Sequence, residues 1–355
     1  MELKQLTESA IALLKQLIQT PSFSKEEDKT ATLIEKWLAS YNITANRTKN
    51  NVWTTNKHFT EGKTTLLLNS HHDTVKPNSA YTNNPFDAFE KDGKLYGLGS
   101  NDAGGCLVSL LATFVYFYEK EDLNYNIVMV ASAEEENSGM NGLNSILPII
   151  PKIDVAIVGE PTLLDFAIAE KGLIVFDATV SGTPSHAAHP NDDNAIYNTI
   201  EVLEWFKNFQ FEKSSDTLGD VKLTVSKITA GNQHNVVPAH VDLVIDVRVN
   251  DKYTNKEIAD ILHQKSPCTT ITPRSLRLNS SSIDTNHDLV KAGISLGKKT
   301  YGSPTLSDQA ALSCQSLKLG PGDSKRSHSA DEFIYIREIE AGIEFYIKLL
   351  NQVIV

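Results

Sequence analysis

Three apolar runs of the sequence lead directly into side chains that bind metals or transfer protons. These side chains are His71, His72 and Asp73 after residues 66–68, Glu134, Glu135 and Glu136 after residues 128–131, and Glu160 after residues 155–158. Open α/β sheets form their sites where strands end. The spacing therefore predicts that these groups meet at one site.

The first run gives two side chains on one face of an extended backbone. His71 and Asp73 stand two residues apart, so the carboxylate can orient the imidazole of a metal ligand. His72 would point to the opposite face, and it could replace His71 as a ligand only if the strand were bulged. The alternative for this segment is a polar turn after a buried strand.

Three adjacent acids follow the second run. Like charges repel, and a row of acids is commonly a solvated surface loop. At the end of a buried strand, adjacent carboxylates instead indicate a compensating cation, with one acid as ligand and a neighbour free to take a proton from water.

A glycine-rich turn at residues 97–105 delivers a single carboxylate, Asp102, just before an apolar helix. Asp is also a common helix N-cap, which is the structural alternative. The spacing Gly97-x-Gly99 begins a dinucleotide fingerprint, but Asp102 occupies the third glycine position, which disfavours a nucleotide cradle.

A late loop presents His328, followed by Asp331 and Glu332. Each of these segments is weak evidence alone. Together, the His, Asp and Glu side chains indicate a mixed nitrogen and oxygen site for two divalent ions of the zinc type.

The order of predicted elements defines the fold class. Helices at residues 1–20, 26–40 and 104–119 alternate with strands at 64–69, 126–131 and 155–159, which predicts an α/β fold with a helix-covered, mixed and mostly parallel sheet. Strands at 174–180, 221–229 and 240–249, with a helix at 194–208, predict a smaller α+β domain. A final helix is predicted at 336–353. The expected domains are residues 1–172 with 284–355, and an inserted domain at 173–283.

Composition narrows the partners and the compartment. The chain has 355 residues and a net charge of −11, so it lacks the basic excess needed for nucleic acid or an anionic membrane. A small-molecule substrate is expected.

The N-terminal segment is amphipathic rather than a secretory signal, and the apolar runs fall short of a membrane span. Three widely spaced cysteines suit a reducing compartment, so we expect a cytoplasmic protein.

The sequence resembles the M20 family of metallopeptidases and deacylases over nearly its whole length. The resemblance rests on His71-x-Asp73, the turn ending in Asp102, Glu135-Glu136, Gly159-Glu160-Pro161-Thr162, Ser185-His186-Ala187-Ala188-His189-Pro190, Asn235-Val236-Val237-Pro238 and His328. It implies a zinc-exopeptidase-like catalytic domain with an inserted lid.

The resemblance also implies a ligand set. Asp102 would bridge two zinc ions, for which cobalt is a substitute. His71 and Glu160 would complete one ion's ligands, and Glu136 and His328 would complete the other's.

The resemblance further implies catalytic roles. Asp73 would orient His71, and Glu135 would be the general base that passes a proton from water to the leaving nitrogen. A register one residue earlier, with Glu134 as base and Glu135 as ligand, remains open. In this family the lid dimerises, and His186 would stabilise the oxyanion in the partner's site. Asn235 and Arg248 match lid positions that contact the substrate.

The expected reaction is removal of an acetyl or succinyl group from the α-nitrogen of an amino acid. An N-acetylornithine deacetylase-like role in arginine biosynthesis is the first expectation. Derivatives of citrulline, lysine or diaminopimelate, a dipeptidase, and a non-catalytic ligand-binding homologue are the alternatives. Lys325, Arg326 and residues 303–308 are candidate contacts for the substrate.

Overall fold

The computed structural model describes residues 2–355. Within that range the α-helices are α1 (Leu3–Ile18), α2 (Asp28–Ala39), α3 (Gly105–Tyr118), α4 (Leu143–Ile146), α5 (Ala195–Asn208), α6 (Asn255–Lys265), α7 (Asp288–Ser295) and α8 (Ile336–Val353). The strands are β1 (Asn46–Thr48), β2 (Asn51–Thr55), β3 (Thr65–His71), β4 (Phe89–Lys91), β5 (Lys94–Tyr96), β6 (Asn126–Ser132), β7 (Val155–Val158), β8 (Phe166–Glu170), β9 (Gly172–Ser181), β10 (Ser185–His186), β11 (Lys222–Ala230), β12 (Val236–Val237), β13 (His240–Val249), β14 (Thr270–Pro273), β15 (Ser281–Ser282), β16 (Thr300–Ser303), β17 (Gln315–Lys318) and β18 (Phe333–Tyr335).

The chain forms two compact units. The larger unit comprises residues 2–168, Ser282–Tyr301 and Ser307–Val355, and the smaller unit comprises Ala169–Ser281 and Gly302–Leu306. The smaller unit thus takes a second, short segment that lies within the range 284–355 predicted for the catalytic domain. The backbone N–H of Lys171 donates to the carbonyl of Ser303 at 3.1 Å, which ties that segment to the smaller unit.

The larger unit contains a sheet whose strands run in the order β1-β2-β6-β3-β7-β17-β8. The central strands β6, β3, β7 and β17 pair in parallel, whereas β2 pairs with β6, and β8 with β17, in antiparallel fashion. The predicted α/β class with a mixed sheet is confirmed. Every residue of β3 and β6 is buried, because both faces of a parallel sheet are covered, and this explains their uninterrupted apolar runs.

Helix α3 is buried along most of its length, and its side chains Leu107, Leu110 and Phe114 are 0% exposed. Helix α1 instead buries one stripe, including Leu6, Leu13 and Leu14. Predicted helix and strand positions agree with the observed ones to within a few residues, and α8 has the predicted bounds. Met1, where the first predicted helix starts, lies outside the described residues.

The smaller unit is built on an antiparallel sheet in the order β11-β13-β9-β14. Strand β9 alternates buried residues with less buried ones along its length, as expected for a sheet with one face on a core. The core includes Phe176 of β9, Ile245 of β13 and Phe206 of α5. Strand β11 forms one edge of this sheet.

Within residues 2–355 no helix combines the length and the hydropathy that crossing a bilayer requires.

Candidate metal centre

The parallel pairing of β3, β6 and β7 brings their carboxyl ends to one edge of the sheet. His71 is the last residue of β3, while Glu135 and Glu160 follow the ends of β6 and β7. The Nε2 atom of His71 lies 3.9 Å from Glu135 Oε2 and 3.9 Å from Glu160 Oε1. Glu135 and Glu160, which follow His71 by 64 and 89 residues in the sequence, therefore lie in one cluster with it, in which His71 is buried and the two acids are partly buried.

Asp102 faces two histidines with its two carboxylate oxygens. Its Oδ1 lies 3.3 Å from Nε2 of His71, and its Oδ2 lies 3.6 Å from Nε2 of His328. Asp102 has φ −118° and ψ 98°, and the N-cap of α3 is Gly104. The alternative of Asp102 as the helix N-cap is therefore wrong.

The second histidine contacts another acid of the cluster. The Nε2 atom of His328 lies 2.9 Å from Glu136 Oε2. His328 has a φ of +57°, and the side-chain amide of Asn78 donates to its carbonyl at 3.1 Å. Candidate ligand atoms of His71, Asp102 and Glu136 all lie within 4.8 Å of one another. The same holds for His71, Glu135 and Glu160.

The loop after β6 is fixed by acceptors from other parts of the chain. The backbone N–H groups of Glu135 and Glu136 donate to the two oxygens of Asp73 at 3.0 and 3.1 Å. The preceding N–H groups, of Ala133 and Glu134, donate to Asn51 Oδ1 at 3.0 Å and Glu27 Oε1 at 3.2 Å. Asp73 also lies 3.4 Å from Nδ1 of His71, so one carboxylate contacts both the histidine and the loop.

Glu134 and His72 point away from the cluster. The Glu134 carboxylate accepts from the Asn141 side chain at 2.9 Å, which supports the register with Glu135 and Glu136 at the cluster. His72 Nε2 lies 2.9 Å from the Asn50 carbonyl, and its Nδ1 lies 2.9 Å from the Thr30 hydroxyl. Burial lowers the pKa of His72 to about 4.

The cluster concentrates negative potential. Although burial opposes protonation, Glu135, Asp102 and Asp73 raise the pKa of His71 well above its usual value. The hydrogen bond to Glu136 raises the pKa of His328 to about 9. Burial, with the charge of Asp102, raises the pKa of Glu160 to about 8. These carboxylates and imidazoles thus attract positive charge strongly.

Three other predicted site residues lie in the smaller unit. His186, on β10, is exposed, and its Nδ1 accepts from the Ala188 backbone at 3.1 Å. Asn235 is exposed, and its carbonyl accepts from the Ala187 N–H at 3.0 Å. Arg248 donates to both oxygens of Asp246, at 2.8 and 3.1 Å.

Two of the candidate substrate contacts have protein partners. Arg326 donates to both oxygens of Glu338 at 2.7 Å, whereas Lys325 is exposed. Asp308 is 9% exposed and accepts from the Ser132 hydroxyl at 2.5 Å, and burial raises its pKa to about 6. Its sequence context gave no sign that it would be buried beside β6.

The three cysteines all have raised thiol pKa values. Burial raises that of Cys106 well above its usual value, raises that of Cys314 to about 11 and raises that of Cys268. The Cys106 thiol donates to the Pro321 carbonyl at 3.2 Å. None of the three belongs to the cluster of His, Asp and Glu side chains described above.

The two histidines and four carboxylates near the carboxyl edge of the sheet are a ligand set of the kind that holds divalent metal ions. The family model of peptidase family M20/M25/M40 matches residues 67–352. The chain belongs to this family, and it is a hydrolase of amide C–N bonds.

Known proteins resemble the chain along most of its length. It is 28% identical to an acetylornithine deacetylase of Proteus mirabilis, with 96% of each chain covered. It is 26% identical to a succinyl-diaminopimelate desuccinylase of Pelagibacter ubique, with 73% of this chain and 72% of the relative covered. The Bacillus subtilis YXEP protein, a dinuclear metal-binding peptidase of family M20, shares the fold with a TM-score of 0.73, 15% identity and 98% of each chain covered.

Proposed function

We propose that this chain is a dizinc deacylase that removes an acyl group from the α-nitrogen of an amino acid, with N-acetylornithine as its substrate. The observation that carries the proposal is Asp102. Its two oxygens face His71 and His328 separately, which suits a carboxylate that would be shared by two ions.

The residues of the cluster fit a pair of divalent ions. His71, Asp102 and Glu160 would hold one ion, and Asp102, Glu136 and His328 would hold the other. Imidazole and carboxylate ligands suit zinc and also cobalt. The raised pKa of Glu160, to about 8 through burial and the charge of Asp102, indicates acids that lack compensating positive charge. Bound cations would supply that charge.

Two bound ions would supply Lewis-acid polarisation of the amide carbonyl and a lowered pKa of the attacking water. Glu135 would accept a proton from that water and deliver it to the leaving nitrogen. Burial raises the pKa of Glu135 well above its usual value, which makes its carboxylate a stronger base. The Asp73 carboxylate holds the Glu135 backbone at 3.0 Å.

The smaller unit would act as a lid and dimerisation domain. In this proposal His186 stabilises the oxyanion in the site of the partner subunit, while Asn235 and Arg248 contact the substrate. The exposed positions of His186 and Asn235 support such roles. Asp246 orients the Arg248 guanidinium through two hydrogen bonds.

A second copy of the chain is the proposed partner of the smaller unit. Strand β11 ends its sheet, so its outer N–H and C=O groups can pair with another strand. Ile228 of β11 is 54% exposed, and on α5 Ile196, Tyr197 and Ile200 are 44, 68 and 56% exposed. Exposed apolar side chains beside an open sheet edge favour a homodimer.

N-Acetylornithine is preferred because the acetylornithine deacetylase of Proteus mirabilis aligns over 96% of both chains, whereas the desuccinylase of Pelagibacter ubique aligns over 72% of its own length. The proposed setting is arginine biosynthesis in the cytoplasm. Desuccinylation of a diaminopimelate derivative is the second candidate.

The first test combines metal analysis with a substrate panel. We expect two zinc ions per chain, and hydrolysis of N-acetylornithine ahead of N-acetylcitrulline, N-acetyllysine, N-succinyl-diaminopimelate and a dipeptide. Glu135→Gln should lower kcat by about 10²–10⁴-fold, the usual contribution of a general base, with zinc content unchanged. Glu134→Gln is the matched control, because that carboxylate bonds to Asn141, and its kcat should change far less.

Two results would overturn the proposal. Turnover of no member of the panel by zinc-loaded protein would favour a non-catalytic binding protein. Wild-type activity in Glu135→Gln would remove Glu135 as the base and reopen the earlier register.

A further inference from the structure

One buried carboxylate of the larger unit lies behind the cluster and contacts the loop that carries Asp102. Glu332 is 2% exposed. Its Oε1 accepts from the backbone N–H groups of Asn101 and Asp102 at 2.8 and 2.9 Å, and its Oε2 accepts from that of Gly99 at 3.2 Å. Three backbone donors of one turn thus converge on one side chain.

All three donors are backbone N–H groups, and a buried donor left without an acceptor costs free energy. The backbone carbonyl of Glu332 accepts a further bond, from the N–H of Gly97 at 3.0 Å. Glu332 therefore contacts the turn at Gly97, Gly99, Asn101 and Asp102, and it limits the positions that the Asp102 backbone can adopt.

The other side of the same turn is fixed by Asn101. Its side-chain amide donates to the Asp323 carbonyl at 3.0 Å, and its Oδ1 accepts from the Asp323 N–H at 3.1 Å. Asn101 is fully buried. The turn is thus held between two parts of the segment 323–332, which also contains His328.

We infer that Glu332 is a positioning residue of the metal centre, acting through the backbone of Asp102. The inference rests on the proposed function, because it concerns the ligand shared by both ions. Glu332 lies four residues after His328. The short segment 328–332 therefore carries one candidate ligand, His328, and through Glu332 it also positions a second one, Asp102. Loss of the Glu332 carboxylate should therefore weaken the binding of both ions together.

Glu332→Gln tests this with little change in volume. The substitution replaces one carboxylate oxygen by an NH2 group. Because both oxygens accept from backbone N–H groups, this NH2 group then faces another hydrogen-bond donor. Partners of this kind usually alter metal affinity or activity by about 10–100-fold, and we expect zinc affinity to fall by that amount for both ions. At saturating zinc, kcat should also fall while KM stays nearly constant, because the change displaces a ligand rather than a substrate contact.

The measurement is a zinc titration of metal-free protein in competition with a chromophoric chelator. Asp331→Asn is the matched control. The Asp331 carboxylate, next to Glu332 in the sequence, accepts from the backbone N–H groups of Thr82 and Asn83 in an exposed loop. The zinc affinity of this variant should match that of the wild type. A Glu332→Gln protein with wild-type zinc affinity and wild-type kcat would overturn the inference, while the proposed function would stand. Wild-type protein that takes up no zinc would overturn both.

Hydrogen exchange provides a second measurement that needs no variant. In folded wild-type protein, the amides of Gly99, Asn101 and Asp102 should exchange as slowly as core strand amides, because each is hydrogen-bonded to a buried acceptor. Rapid exchange of these three amides in the metal-free protein would contradict a positioning role for Glu332.

Discussion

Adjacent histidines at the end of β3 have opposite electrostatic environments. His71 faces the carboxylates that raise its pKa, although burial acts in the other direction. His72, one residue later, is buried against Asn50 and Thr30, and burial lowers its pKa to about 4. The alternation of an extended backbone thus separates a candidate ligand from a neutral structural histidine.

The depressed pKa of His72 predicts a stability change with pH. Between the folded pKa of about 4 and the usual value of 6.5, the unfolded chain binds a proton that the folded chain does not. The contribution of His72 to the free energy of unfolding is therefore complete above the usual histidine pKa of 6.5. It declines as the pH falls toward the pKa of about 4 that His72 has in the folded protein. The difference between these two pKa values corresponds to a loss of about 2 kcal/mol in the free energy of unfolding between about pH 7.5 and about pH 5.

Urea denaturation of chelator-treated protein at the two pH values measures this loss. His72→Gln should remove that part of the pH dependence, whereas the same change at His263, which is exposed on α6, should leave it intact. Equal pH dependence in wild type and His72→Gln would show that other groups cause the decline.

At the scale of elements, the loop after β6 depends on acceptors from distant segments. Asn51 of β2 is fully buried, accepts from Ala133 N at 3.0 Å and donates to the Asn141 carbonyl at 2.7 Å. Asn51→Ala leaves buried backbone groups unpaired, so we expect a loss of about 1–3 kcal/mol in the free energy of unfolding and a lower kcat. Denaturation and steady-state kinetics measure the two effects.

The exposed Asn46 of β1 supplies the control, and Asn46→Ala should change neither quantity. A destabilised Asn51→Ala protein with wild-type kcat would mean that Asp73 and Glu27 keep Glu135 in place without Asn51.

The sequence predicted the elements that have long periodic patterns and the residues at their ends. Because parallel strands end at one edge of a sheet, the positions of His71, Glu135 and Glu160 after apolar runs were enough to group them. Helix α6 was missed because its apolar stripe is short, although the capping box formed by Thr254 and Glu257 was a usable signal. Glu27, Asn51 and Glu332 carry no local pattern, because their roles come from backbone donors far away in the sequence.

At the scale of the whole molecule, the proposed homodimer can be tested at the edge strand. We expect wild-type protein to sediment as a dimer and Ile228→Lys to sediment as a monomer, because a buried charge would oppose pairing at β11. Ile149→Lys, at a position 55% exposed in the larger unit, should remain dimeric. A monomeric wild type, or a dimeric Ile228→Lys, would contradict this interface.

Sharing of sites between subunits has its own test. His186→Ala and Glu135→Gln proteins should each be nearly inactive alone. Mixed under conditions of subunit exchange, they should regain part of the activity, because one site of each heterodimer has an intact base and receives an intact histidine. Absence of any recovery in mixtures shown to contain heterodimers would argue that each site uses its own His186.

The raised thiol pKa values of Cys106, Cys268 and Cys314 have a practical consequence. A protonated thiol is a poor nucleophile and oxidises slowly, so we expect slow oxidation at these three cysteines. Purification buffers can therefore omit dithiol reductants, which are soft sulfur ligands that would otherwise compete for the proposed zinc ions.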